Sequence, residues 1–309
     1  MEIFTSIEEI VGNETAAVAL GNFDGVHRGH AALILRTVAA ARARALKSAV
    51  FTFSNHSKNF IAGRTVVKNI VSEADKIALI ASMGVDYLFS VPFDAHFHEM
   101  PSESFIQHIL LARLKATVVG CGFNFRFGQG ASGDTATLVD AAGRFGFDLD
   151  VMPPFKVGGT LVSSSLIRNL IAEGKVDLCP EYLGRRYSVL GRTIPGNKVG
   201  GTLGFPTANI PLDERMVTPP YGVYVSETEL NGVIYESVTN IGDRPTIGDG
   251  KKLAETHLFG VTGTLYGQDI RVNLVTMLRG EQKFSGLEEL KAQITLDKEK
   301  AVAFFHGKC

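Results

Sequence analysis

Up to about residue 180 the chain alternates short apolar runs with longer stretches of helical spacing. Ala16–Leu20 (AAVAL) reads as a strand, Ala31–Lys47, rich in alanine and arginine, as a helix, and Ser48–Phe53 (SAVFTF) as a strand again. Ser72-x-x-Asp75 forms a capping box that opens a helix through Met83, and Tyr87–Val91 follows as a strand. Ser104–Leu114 is predicted helical, Thr117–Val119 a strand and Thr135–Phe145 a helix. Strands and helices alternating at this length predict βαβ units, hence an α/β domain with a doubly wound parallel sheet.

From about Tyr187 the pattern changes to β-rich alternation. Tyr221–Leu230 and Val233–Asn240 flank Asn231-Gly232, the strongest short hairpin signal. A second hairpin is predicted at Gly267-Gln268, between His257–Tyr266 and Asp269–Leu278. Ser285-x-x-Glu288 is a further capping box, opening a helix that runs to about Phe305. These elements predict a small antiparallel β-barrel with a terminal helix. The change of pattern near Leu183–Arg186 sets the domains at 1–183 and 184–309, and 309 residues are more than one typical core would hold.

Composition narrows the partners. A net charge of −1 gives no electrostatic reason to expect nucleic acid or an anionic membrane, although a local anion pocket remains open. Cys121, Cys179 and Cys309 are odd in number and widely spaced, which suggests neither a disulfide framework nor a cysteine zinc site. Free thiols suit a reducing cytoplasm. MEIFTSIEEIVG lacks the basic and apolar regions of a secretory signal, and no apolar run has the length of a membrane span.

Five stretches carry candidate chemistry. GNFDGVHRGH, Gly21–His30, lies between a predicted strand and helix, where backbone N–H groups and a helix dipole can hold an anion. Gly21, Gly25 and Gly29 would let backbone approach a ligand, and His27 and His30 would donate to phosphate oxygens; an ordinary tight turn is the alternative. A metal is disfavoured, since no third ligand stands nearby. GFNFRFGQGASGD, Gly122–Asp134, contains G-x-G-x-x-G at Gly128, Gly130 and Gly133, but no strand leads straight into it. It reads as a glycine loop beside a pocket, with aromatics able to stack on a planar ring.

SSSLIR, Ser163–Arg168, offers N-capping serines, free helix N–H groups and an arginine one turn in: either simple capping or a second anion site. In the second half, Thr207 and Asn209 share a face if their segment is extended, and their oxygens suit Mg²⁺ bridging phosphates. Glu255 and His257 likewise share a strand face, and a carboxylate there could serve as general base for a hydroxyl nucleophile.

Together these stretches resemble the prokaryotic bifunctional riboflavin kinase/FAD synthetase family over essentially the whole chain. Gly21-Asn-Phe-Asp-Gly-Val-His-x-Gly-His30, Asn-Phe-Arg-Phe-Gly at 124–128 and Ser-Ser-Ser-x-Ile-Arg at 163–168 resemble its adenylyltransferase half, of the nucleotidyltransferase superfamily with the H-x-G-H signature. Thr202-Leu-Gly-Phe-Pro-Thr-Ala-Asn209, Tyr221-Gly-Val-Tyr224, Asn240-Ile-Gly-x-Arg-Pro-Thr246, Glu255-x-His257, Leu265-Tyr-Gly267 and Leu278-Arg-x-Glu-x-Lys-Phe284 resemble its kinase module.

The resemblance implies that the barrel phosphorylates riboflavin to FMN with ATP and Mg²⁺. The first domain would then transfer AMP from a second ATP to FMN, giving FAD and pyrophosphate. It implies ATP contacts from Gly21, Asn22, Phe23, Asp24 and Gly29, with His27 and His30 at the α-phosphate and Ser164, Ser165 and Arg168 on the departing phosphates. Asn124 and Arg279 would lie at the flavin, Thr207 and Asn209 would organise Mg·ATP, and Glu255 would activate the ribityl hydroxyl.

Neither nucleic acid nor a membrane is an expected partner, and the expected state is a monomer or weak homo-oligomer in the cytoplasm. The chain also departs from the family pattern. Asn124 stands where aspartate is common, Leu166 where arginine or lysine is, Ser57 after His56 in place of proline, Gly201 within Val199-Gly200-Gly201 in place of an arginine, and Asp243 in a slot more often threonine. The alternatives are a chain with one strongly active module and a non-catalytic flavin-binding regulator. Intact Glu255, His27 and His30 argue against the regulator.

Overall fold

The computed structural model describes residues 1–9, 14–196, 205–243, 252–263 and 265–307. The predicted Thr202-Leu-Gly start of the barrel motif and Arg244-Pro-Thr246 lie outside the described residues, as do Gly201 and Cys309. The chain divides into two compact units, Met1–Ser164 and Ser165–Cys309.

The first unit is the predicted α/β domain. Strands β1 (Glu2–Phe4), β2 (Ala16–Leu20), β3 (Lys47–Phe53), β4 (Tyr87–Val91), β5 (Ala116–Gly122) and β6 (Asp148–Met152) form one sheet in the order β1-β4-β3-β2-β5-β6. Every pairing in it is parallel. Helices cover both faces, which is why β2 is buried at all five positions and shows no alternation. On one face Ala19 packs with Leu33, Ile34 and Val38 of α1 (Arg28–Ala43) and Ile80 of α3 (Glu73–Ala81). On the other, Ala16, Val18 and Leu20 meet Phe105, Ile106 and Leu110, with Leu138 of α6 (Thr135–Phe145).

Between β3 and α3 lies α2 (Ser57–Ala62). After β4 come α4 (Ala95–Glu99), α5 (Ser102–Ser104) and a π-helical stretch, Phe105–Arg113, where the sequence predicts one helix over 104–114. Two-residue strands β7 (Lys156–Val157) and β8 (Thr160–Leu161) pair before the unit ends.

The strand order carries the functional consequence. From β2 the chain winds outward through β3 and β4, then returns to the other side of β2 for β5 and β6. The winding therefore reverses at the β2/β5 neighbours, and in open α/β sheets ligands bind outside the carboxyl ends of the strands at that point.

The second unit begins at Ser165, within α7 (Ser164–Ala172), and a 3-10 turn at Val176–Leu178 and α8 (Cys179–Leu183) follow. It continues as the predicted barrel. Strands β9 (Tyr187–Arg192), β10 (Ala208–Pro211), β11 (Gly222–Leu230), β12 (Val233–Asp243), β13 (Lys252–Leu258) and β14 (Asp269–Gly280) follow the order β10-β13-β12-β11-β14-β9, all antiparallel. The N–H of Ile194, just beyond β9, donates to Asn209 O of β10 at 2.9 Å and brings the two edges together. Closure leaves little exposed ladder.

Asn231-Gly232 makes the predicted hairpin, with φ of 52° and 78° at the two turn positions, and Leu230 pairs with Val233. The second predicted hairpin does not form. Leu265–Gln268 does turn, Gln268 N donating to Leu265 O at 3.3 Å, but β14 pairs with β11 and β9, while β13 pairs with β12 and β10. The alternation in β14 is satisfied by strands distant in sequence.

The terminal helix α9 (Leu287–Phe305) packs Ala301 against Val223, Val225, Val238 and Val275 of the barrel wall. Its cap differs from the predicted box: Gly286 is the N-cap, and Ser285 Oγ and N both donate to Glu289 at 2.6 and 2.8 Å, not to Glu288.

Candidate functional sites

In the first unit the turn after β2 opens onto the point where the winding reverses. Its backbone is strained: Phe23 and Val26 sit at positive φ, 48° and 39°, a region that costs a non-glycine residue about 1–3 kcal/mol. Burial of both side chains, 0% and 3% exposed, holds them there. The strain sets His27 as the N-cap of α1, so the predicted helix begins at Arg28 rather than near His30.

His27 Nδ1 accepts the backbone N–H of His30 at 3.1 Å. A nitrogen that accepts carries no proton, so the neutral ring keeps its proton on Nε2, a fixed donor. The His27 and His30 rings stack, centroids 3.6 Å apart and 13° from parallel. Gly29 makes room for this: a Cβ there would lie 3.3 Å from both the His27 ring and Phe155 Cβ. The H-x-G-H spacing is thus one object, a capped helix start with two parallel imidazoles.

Neighbouring residues tie the turn down. Gly21 N donates to Phe51 O at 3.3 Å, and Asn22 O accepts the Thr52 hydroxyl at 3.1 Å. Buried Asp24 accepts Ile70 N at 2.9 Å, and its own carbonyl accepts the Ser164 hydroxyl at 2.8 Å. Ser164 therefore meets the histidine turn, whereas Ser165 and Arg168 are carried by α7 in the second unit. On the other side of β2, Asn124 is exposed just past the end of β5. The aromatics around it turn mostly inward: Phe125 stacks on Phe127, and Phe127 is buried against Phe105, so only Phe123 is open to stacking on a ligand. The glycines at 128, 130 and 133 form a short loop that pairs Phe127 with Gly133.

A shallow cleft lies beside the turn, lined by Asn22, Asp24, Phe53, Asn55, His56 and Lys76 among others. Lys76 is 6% exposed; its ammonium donates to Phe53 O at 2.7 Å and pairs with Glu73 at 2.7 Å, and Glu73 also accepts from the Ser90 hydroxyl. Sequence reading missed Lys76 and Asn55. Lys76 falls on a capped amphipathic helix, where lysine reads as solvated surface; Glu73 is its neighbour one turn back on that helix, and only the fold brings Phe53 O to it. Burial pushes the Cys121 and Cys179 thiols up to about 12, so neither offers a thiolate.

In the barrel, register assembles the site. Asn209 of β10 stands directly opposite Glu255 of β13, and Glu255 opposite Asn240 of β12, so the three side chains share one face. Asn240 was missed as a separate site residue, since pairing is not written in the chain. Asn209 is 3% exposed; its Nδ2 donates to Thr207 O at 3.4 Å, while its Oδ1 has no hydrogen-bond partner among the described residues. Gly196 lies against that amide, a Cβ there coming within 2.4 Å of Nδ2.

His257, on the same face as Glu255, bonds Pro206 O through Nδ1 at 2.9 Å. Burial, helped by Lys298, holds its pKa below the usual histidine range. Arg279 forms a forked pair with Asp297 of α9, Nε at 3.0 Å and the terminal nitrogen at 2.7 Å from Oδ2. Gln293 donates to the same carboxylate at 2.8 Å.

A capped helix start lies at the reversal point of a parallel sheet, and a barrel follows in which Glu255 stands opposite an amide whose buried oxygen has no hydrogen-bond partner among the described residues. An FAD synthetase family model matches residues 10–166 and a riboflavin kinase model residues 183–305. The Escherichia coli K12 bifunctional riboflavin kinase/FMN adenylyltransferase is 37% identical over 293 residues, covering 94% of this chain and 93% of its own. The Bacillus subtilis protein of the same name is 34% identical over 304 residues, covering 94% and 92%. A crystal structure of a Streptococcus pneumoniae protein described as a macrolide-efflux protein shares the fold at a TM-score of 0.86, with 26% identity over 96% of this chain and 97% of that one. The chain belongs to the bifunctional riboflavin kinase/FMN adenylyltransferase family.

Proposed function

We propose that the chain makes FMN and then FAD, using one ATP at each step. In the barrel the ribityl hydroxyl of riboflavin attacks the γ-phosphorus of ATP, and ADP leaves. Glu255 accepts the hydroxyl proton as the new P–O bond forms. Mg²⁺ fits Asn209 and Thr207: a buried amide oxygen without a donor is a costly group that a hard cation relieves, and a hydroxyl stands two residues away. Bound there, the ion would neutralise charge on the ATP phosphates. The kinase is assigned to residues 184–309 and the adenylyltransferase to 1–183, with α7 and α8 placed by contact in the second compact unit.

In the first module a phosphate oxygen of FMN attacks the α-phosphorus of the second ATP, the α–β bridge breaks and pyrophosphate leaves. The task there is positioning and charge stabilisation. His27 Nε2–H and His30 hold the α-phosphate, and the capped N-terminus of α1 adds its dipole. Gly21, Asn22, Phe23, Asp24 and Gly29 frame the nucleotide. Ser164, Ser165 and Arg168 take the departing phosphates, and Asn124 meets FMN from the β5 side. Arg279 is assigned to the flavin of the kinase, through a side chain that Asp297 already orients.

Riboflavin, FMN and ATP are the partners, with no nucleic acid or membrane; no helix among the described residues is long and apolar enough to cross one. The protein acts in the cytoplasm as a monomer or weak homo-oligomer. The observation that carries the two-step reading is that each module has its own polar cluster, the stacked histidines at a helix start in one and the Asn209–Glu255 pair in the other. Purified protein given riboflavin, ATP and Mg²⁺ is expected to yield FMN with ADP, then FAD with pyrophosphate. No FMN would refute the kinase, and FMN without FAD or pyrophosphate would refute the transferase.

A further inference from the structure

The main-chain ladder between β10 and β13 ends at the rung of Ala208 and Thr256. Had it continued, the next rung would pair Thr207 with His257. There a side chain takes over. The imidazole reaches one residue further back, and its Nδ1 lies 2.9 Å from Pro206 O. A carbonyl only accepts, so Nδ1 carries the proton and Nε2 keeps the lone pair in the neutral ring.

The surroundings hold this ring in place and give its other nitrogen nothing. His257 is 8% exposed, and Nε2 is buried with no hydrogen-bond partner among the described residues. Phe205 meets the ring edge-on at 5.7 Å and Phe259 flanks it at 5.7 Å. Lys298 of α9 sits over both phenyl rings at 5.7 and 5.8 Å. A residue needed only to fill this space would be a hydrocarbon, since a buried acceptor without a partner is a standing cost. Among the described residues, the one hydrogen bond that repays the imidazole is the bond to Pro206.

We infer that His257 is a positioning residue of the kinase, whose Nδ1–H pins the Phe205-Pro206-Thr207 segment where the strand ladder has stopped. The pin keeps Thr207 in line with Asn209, opposite Glu255, and so serves the Mg·ATP end of the site rather than the flavin end. This rests on the reading that Thr207 and Asn209 organise Mg·ATP.

The test is steady-state riboflavin phosphorylation by the full chain, with KM for Mg·ATP and for riboflavin measured separately. FMN-to-FAD conversion in the same sample monitors the integrity of the other module. His257→Phe keeps the aromatic bulk and removes the donor. It is expected to raise KM for Mg·ATP about tenfold, the effect of one lost hydrogen bond, and to leave KM for riboflavin within about twofold. His257→Asn places Nδ2 where Nδ1 stood and is expected to recover most of the loss; His257→Gln, with its donor one bond further out, is not.

An unchanged KM for Mg·ATP in His257→Phe overturns the inference. So does an Asn variant as impaired as Phe, or a rise in both KM values together, which would mark general damage to the barrel. If His257→Phe does not fold, the Asn and Gln variants decide by the same ratio. Asn209→Ala separates the underlying reading: if it leaves KM for Mg·ATP unchanged, the Mg·ATP assignment fails and the inference falls with it. If Asn209→Ala raises that KM and His257→Phe does not, the inference alone is wrong.

Discussion

The turn at Gly21–His30 and the polar row on the barrel, each proposed to meet an ATP phosphate, are built from opposite starting points. The turn is contiguous. Ten residues make a strained loop, a capped helix start and two stacked imidazoles, and a helix start also offers backbone N–H groups that truncating a side chain leaves in place. The row is assembled by register from Asn209, Glu255 and Asn240 on three strands, and every functional atom belongs to a side chain. A site built from backbone and dipole tolerates the loss of one side chain as a weakening. A site whose proton acceptor is a single carboxylate does not.

That contrast orders the expected effects. Glu255→Gln is expected to lower FMN formation by roughly 10²–10⁴-fold while leaving FMN-to-FAD conversion largely intact, read by chromatography of the flavins. An equal fall in both products would erase the distinction between the modules. His30→Ala is expected to reduce FAD formation by about 10²-fold with FMN formation preserved. His27 is more informative, because it both caps α1 and presents Nε2. His27→Asn retains a capping acceptor and removes the Nε2 donor, so it should fold as well as the parent yet lose FAD synthesis to a similar degree. If His27→Asn keeps full activity, the imidazole serves only as a cap.

Two smaller effects sharpen the comparison within the barrel. Asp297→Ala removes the forked partner of Arg279, and the barrel is expected to lose about 2–3 kcal/mol in thermal unfolding, below the limit for a fully buried pair because Arg279 keeps some solvent contact. If Arg279 also meets the flavin, Arg279→Met raises KM for riboflavin more than Asp297→Ala does; equal effects would make the arginine structural. Inside the barrel, Thr228, Ser237, Ser226, Thr239 and Thr256, all fully buried, form a chain of hydroxyl contacts of 2.7–2.9 Å. Thr239→Val removes the hydroxyl that links Ser226 to Thr256. A loss of about 1–2 kcal/mol, with both activities unchanged, is the expected result.

The same contrast explains what could be read in advance. Tyr87–Val91 and Thr135–Phe145 form at the predicted bounds, because apolar pattern and capping are local signals. The histidine turn was legible as a strand-to-helix turn because it is contiguous, although its strain at Phe23 and Val26 was not: neither residue type announces a positive φ. The hairpin predicted at Gly267-Gln268 failed because alternation tells which face is buried and nothing of which strand is the partner. The same gap hid Asn240, which register alone sets beside Glu255. The π-helical pitch of Phe105–Arg113 is invisible to apolar spacing at this length. Lys76, buried by an ion pair and a carbonyl from β3, was concealed by the rule that helical lysines are solvated.

The central claim is that two independent phosphate sites divide the work. It is tested most directly by assaying Glu255→Gln and His30→Ala side by side, each with riboflavin and with FMN as the starting flavin. The expected result is a crossover. Glu255→Gln converts FMN to FAD but makes almost no FMN from riboflavin, and His30→Ala accumulates FMN from riboflavin with little FAD from either flavin. If either variant loses both reactions, or His30→Ala makes FAD at the parent rate, the division of labour between turn and barrel is contradicted.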